Sequence, residues 1–148
     1  MAMKAHTRAQ AFTAAKALVV AAVPAGTAYY DRMRVEDIPN ARANYFLMGG
    51  RRTRVMDDRR ERQQDNDLVA VETTCPVVVA VRSKPADREA RRLEGDAIAD
   101  ALHQGCTSNT AGLEARWLGD DESLSANGEW IYIRGSMAYR YLFNVGAP

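Results

Sequence analysis

Residues Leu68–Arg82, LVAVETTCPVVVAVR, decide how this chain folds. Val69, Val71, Thr73, Cys75, Val77, Val79 and Val81 share one parity and are almost wholly apolar. Ala70, Glu72, Thr74, Pro76, Val78, Ala80 and Arg82 share the other and are mixed. Alternation sustained this long is the period of a β-strand with one face turned to a core. Pro76 has no N–H to give to a ladder, so the strand needs an unpaired edge, a bulge or a break there.

The same alternation returns in Glu129–Val145. Ile131, Ile133, Met137, Tyr139, Tyr141, Phe143 and Val145 oppose Arg134, Ser136, Arg140 and Asn144, and Gly135 marks a bulge where the strand bends. Shorter strands are expected at Thr27–Arg34, at Ala41–Met48 (ended by Gly49-Gly50) and at Leu113–Leu118. Gly119–Gly128 reads as a polar acidic turn, and Val35–Asn40, with Ile38-Pro39, as a connection. Two stretches have helical period instead. Thr7 caps a helix to about Val23, with Phe12, Ala15, Val19, Ala22 and Val23 on one face and Pro24-Ala25-Gly26 as its stop. Asp87 caps a second, with Leu93, Ala97, Ile98, Ala101 and Leu102 on one face and Gly105 at its end. The order is helix, two strands, charged segment, strand, helix, two strands. Without regular βαβ alternation, this predicts an α+β fold: a mostly antiparallel sheet with both helices on one face. The other face, of mixed composition, is left for a partner.

The chain has 148 residues, which fits one domain, 1–148, with an arm. Its 20 basic residues against 19 acidic ones leave a net charge of +1, which argues against a polybasic nucleic-acid binder. The basic residues are 17 Arg and 3 Lys, a bias toward forked, bidentate contacts that a G+C-rich genome would also produce. Six of those arginines, Arg51, Arg52, Arg54, Arg59, Arg60 and Arg62, fall in Arg51–Asn66, opposed by Asp57, Asp58, Glu61 and Asp65. With only Val55 and Met56 strongly apolar, that segment reads as an exposed arm or long hairpin. Mixed charge at this density, with no aromatic residue between for base stacking, fits protein docking better than nucleic-acid binding. A solvated loop is the bland alternative. No apolar run reaches the ~18 residues of a membrane span, and nothing resembles a signal peptide.

Motifs for chemistry are sparse. Cys75, His103 and Cys106 form no CxxC pair and lack a fourth ligand, so zinc is not expected. Asp120, Asp121 and Glu122 could hold a hard cation, but turns are commonly acidic without one. Gly49-Gly50-Arg51-Arg52 is not followed by a helix and matches no phosphate-loop pattern. With His6 and His103 the only histidines, bases near neutral pH are few. No catalytic residue, cofactor or metal site is expected, and the two cysteines read as reduced, partly buried thiols.

Four segments in this order carry a resemblance: Val35–Pro39 (VEDIP), Val77–Arg82 (VVVAVR), Arg92–Leu102 (RLEGDAIADAL) and Ile131–Phe143 (IYIRGSMAYRYLF). With the element order, they resemble the tail terminator (minor tail protein U-like) and tail-completion proteins of long-tailed bacteriophages. The resemblance spans nearly the whole chain. The arm is longer and more charged than the generic pattern. The resemblance implies a structural, non-enzymatic virion protein, assembled in the host cytoplasm. It would form a hexameric ring on the tail tube, end tube polymerisation and provide the surface for head–tail joining. Its partners would be copies of itself, the tail-tube protein and a neck protein, with DNA only passing through the lumen and no membrane. The arm and the even face of the last strand, with Arg134 and Arg140, would then supply subunit or tube contacts. The alternatives are a neck or head–tail connector protein and, in another class, a small nucleic-acid-binding regulator.

Overall fold

The computed structural model describes residues 5–30, 44–56, 68–107, 112–126 and 128–144. Two helices, α1 (Arg8–Ala22) and α2 (Arg88–Gly105), lie with six strands: β1 (Ala28–Tyr30), β2 (Asn44–Met48), β3 (Arg52–Val55), β4 (Leu68–Arg82), β5 (Glu114–Leu124) and β6 (Trp130–Asn144). The strand order is β1-β2-β4-β6-β5, with β3 also on β4. Every pairing is antiparallel except β1 with β2, so the α+β expectation holds. The spine is β4 against β6, in unbroken register from Leu68↔Asn144 to Arg82↔Trp130.

Pro76 shapes the neighbouring strands. Its carbonyl accepts from Gly49 N–H at 2.9 Å, so its missing donor faces the β2–β3 side. There β2 pairs as far as Met48↔Val77, and β3 resumes at Arg52↔Thr74. Three residues, Gly49–Arg51, oppose two, Cys75 and Pro76, so the strand bulges where the ladder has no donor. The extra residue flips the pleat. Tyr45 and Leu47 precede it on the face opposite α1 and α2, and Arg52 and Arg54 follow on that same face. The arm therefore begins as the first strand of a hairpin with β4, mostly exposed, which is the hairpin form of its reading. Ladder hydrogen bonds order Arg52–Val55 despite their polarity, and residues 57–67 lie outside the described residues.

The odd row of β4 faces the helices as expected. Val69, Val71, Cys75, Val77, Val79 and Val81 pack with Ile133, Met137, Tyr139 and Tyr141 beneath α1 and α2. Thr7 Oγ1 accepts from Gln10 N–H, and Gln10 Oε1 accepts from Thr7 N–H, a reciprocal cap for α1. The buried face of α1 is Ala11, Ala15 and Val19, continued by Val23. Phe12 and Ala22 are only partly buried against the core. In α2 the buried stripe is Gly95, Ile98 and Leu102, whereas Leu93 is 65% exposed. The helix is rotated so that Gly95 faces Ile133, where an added methyl would make an ordinary van der Waals contact with Ile133 Cδ1 at 3.5 Å. Asp87 precedes α2 without capping it, its Oδ1 accepting from Lys84 N–H instead.

Two other expectations are corrected. The acidic stretch after Leu118 is no turn. β5 continues to Leu124 past a bulge between Trp117 and Gly119, where Gly119 takes φ +115°. Gly135 marks no bulge in β6, which pairs straight through it with Val77. Its hydrogen instead leaves room for the Trp117 indole, whose Nε1 donates to Asp120 Oδ2 at 2.7 Å. An added Cβ at Gly135 would collide with Trp117 Cζ2 and come within 2.8 Å of Gly119 O. Urea unfolding of Gly135→Ala should show a loss of about 1–3 kcal/mol. Gly50→Ala, whose methyl meets nothing within 4 Å, should stay within about 0.5 kcal/mol of wild type.

Candidate interface: arginines around Glu72

The mixed row of β4 carries Glu72 in the middle of an otherwise apolar strand. A carboxylate buried without partners is strongly disfavoured, so this position demands cations. The sheet register supplies three. Arg54 on β3 and Arg140 on β6 are the cross-strand partners of Glu72, and Glu114, paired with Arg140, brings β5 alongside with Arg116. Arg54 donates to Glu72 Oε1 through Nε at 3.2 Å and Nη2 at 3.0 Å. Arg140 Nε donates to Oε2 at 2.9 Å and Arg116 Nη2 to the same oxygen at 3.4 Å.

Glu72 is only 3% exposed, because the three guanidiniums cover it. Their own side chains remain 62%, 54% and 38% exposed for Arg54, Arg116 and Arg140. Burial pushes the Glu72 carboxyl up. Hydrogen bonds from Arg140 and Arg54, with the charges of Arg140 and Arg116, outweigh this and hold it below its ordinary value. One buried negative charge thus organises three positive ones, and the cluster of four side chains carries a net charge of +2 on guanidiniums that stay exposed. Arg52 stands on the same face beside Thr74. At the other end of that face, Tyr45, Ala80, Trp130 and Tyr132 form a second apolar cluster. Arg134 lies over Tyr132 at 4.9 Å and Arg82 over Trp130 at 4.6 Å.

Of the arginines expected to make contacts, the structure gathers Arg54 and Arg140 and sets Arg52 and Arg134 on the same face. Arg51 goes to the opposite face, where its guanidinium lies 4.3 Å from the Phe12 ring centroid. Arg59, Arg60 and Arg62 lie outside the described residues. Arg116 was missed because it sits far from the arm in sequence. The signal for it was Glu72 itself, an acid in a Val-rich strand that needed more than one partner.

The groups weighed for chemistry are dispersed. Cys75 and Cys106 are buried free thiols, both pushed up to about 11 by burial. His103 is exposed on the last turn of α2. Asp120 is held by Trp117, and Glu122 pairs with Arg92 at 3.2 Å. Among the described residues, no group of three or more His, Cys, Asp or Glu side chains is placed to hold a metal ion. No described helix is long and apolar enough to cross a membrane.

Because the folded-state pKa of Glu72 is lowered, its contribution to stability is complete above about pH 4.5 and is lost as pH falls through that lowered value. Glu72→Gln should therefore cost about 1–3 kcal/mol at pH 7, and its stability should fall less steeply than wild type on acidification. Urea titrations between pH 3 and pH 7 measure both. Compared with known proteins, the chain matches no family model and no curated relative.

Proposed function

We propose that this chain is a structural virion protein of a long-tailed bacteriophage, the subunit of a ring, expected to be hexameric, that caps the tail tube. The ring would end tube polymerisation and offer the surface on which the head is joined. The observation that carries this reading is the arginine cluster around Glu72, on the sheet face opposite the two described helices, with its guanidiniums exposed. A closed ring needs two different, complementary patches on each subunit, because every copy contacts its neighbours head to tail. Exposed guanidiniums fixed by a buried carboxylate form one preorganised patch, with little side-chain entropy left to lose on docking. Arg52 and Arg134 extend it, and the near-neutral chain as a whole suits contacts between proteins. The resemblance in element order to tail terminator and tail-completion proteins supplies the biological setting.

Solution mass measurement tests the proposal. The chain alone and the chain with tail-tube protein should differ, with a ring-sized species when the tube is present. A double variant, Arg52→Glu with Arg134→Glu, spares the Glu72 ion pairs and should keep the wild-type circular dichroism spectrum while losing ring formation. A persistent monomer that binds duplex DNA with a steep salt dependence would overturn the proposal in favour of a nucleic-acid-binding regulator. Assembly on a neck protein and not on the tube would make it a connector.

A further inference from the structure

The helix side of the sheet has its own opening. At the β3 end, α1 stands off the strands and leaves a cleft of about 580 Å³. Arg8 and Arg51 line it with Phe12, Tyr29, Met48 and Tyr139. The volume is in the range of ligand-binding clefts. Three features give it an unusual electrostatic character.

Two guanidiniums line one small volume, and among the described residues neither has a carboxylate partner. Arg51 is held by the Phe12 ring, 4.3 Å from its centroid, which fixes its plane without neutralising it. A third cation, Lys16, lies 3.8 Å from the centroid of Tyr29, a lining residue. Arg8 is also placed against stability. It is the first residue of α1, whose opening turn contains no acid, so its charge meets the positive end of the helix dipole. Carboxylates are the residues that stabilise that position, and a cation there adds to the positive potential of the cleft. The field of Arg51 reaches the floor as well: the Tyr139 hydroxyl, pushed up to about 12 mainly by burial, is pulled back by Arg51.

We infer that this cleft is a docking site for an acidic peptide segment of a partner protein, with a carboxylate held between Arg8 and Arg51 and an adjacent apolar side chain against Phe12, Tyr29 and Met48. Forked guanidiniums match a carboxylate bidentately. The apolar part of the lining has no use for a phosphodiester backbone, which needs a basic track along the surface and not one cleft shared by two cations. The site lies on the face of the sheet opposite the Glu72 cluster and does not depend on ring formation.

The test is nuclear magnetic resonance titration of the full chain, following the side-chain Nε–Hε signals of Arg8 and Arg51. The probe is the blocked peptide acetyl-Phe-Asp-Leu-Glu-amide. Saturable shifts of both signals are expected, with affinity about tenfold weaker for the Asn/Gln version of the peptide and for the Arg51→Gln variant. Arg8→Gln should weaken binding similarly while leaving Tm unchanged or higher, whereas an Arg8 that served only the fold would lower Tm on replacement. Absence of saturable shifts, or an Arg8→Gln variant that binds normally, overturns the inference. So does tighter competition at the same two signals by inorganic phosphate or a single-stranded oligonucleotide, which would make this a phosphate site.

Discussion

One missing hydrogen-bond donor, the N–H that Pro76 lacks, organises the two basic surfaces of this protein. A central strand must satisfy its backbone on both sides, and β4 does so without interruption toward β6. On the other side the ladder fails at Pro76, and the adjacent strand is split into β2 and β3 by one extra residue. That residue changes which side chains face which way. Without it, Arg52 and Arg54 would point to the helix side, and the partner row of Glu72 would be filled by Thr53 and Val55. The bulge puts Arg54 beside Glu72 and leaves Arg51 on the other side, against Phe12. Both basic surfaces, on opposite faces of one sheet, follow from a single imino acid.

Stability and charge are divided differently on the two faces. Around Glu72, cations and anion are mutually supporting, so the arginines contribute to the fold and remain presentable. In the cleft, Arg8 and Arg51 contribute charge without a compensating carboxylate among the described residues, and Arg8 opposes the dipole of its own helix. A first-turn acid in its place would favour the helix. Residues that work against local stability in this way are where function and folding part company.

The parities of β4 and β6 were legible in the sequence because long alternation has no competing interpretation. The core face, the helix positions and the consequence of Pro76 followed from it. What escaped depended on partners distant in sequence. The α2 stripe is rotated so that Gly95 meets Ile133 and Leu93 stays exposed, an orientation set by the sheet beneath the helix and not by the helix's own sequence. Asp120, Asp121 and Glu122 have weak strand propensity, and β5 runs through them because the first bonds Trp117, the second lies opposite Arg134 and the third pairs with Arg92. Gly135 signalled a special position, but whether it served a bend or an indole could not be decided without the neighbouring strand. For the arm, composition left an exposed arm and a long hairpin both open, and Arg52–Val55 takes the hairpin form, with exposed side chains and the backbone pairing of a sheet.

The acidic run along β5 has a consequence for the edge of the sheet. β5 is an outer strand, and a long outer strand with open main-chain groups invites pairing with its own kind, the first step of uncontrolled aggregation. Asp120, Asp121 and Glu122 occupy three consecutive positions of that edge, so two β5 strands brought side by side would set like charges against each other. The same residues that made this stretch look like a turn disfavour edge-to-edge pairing of two β5 strands.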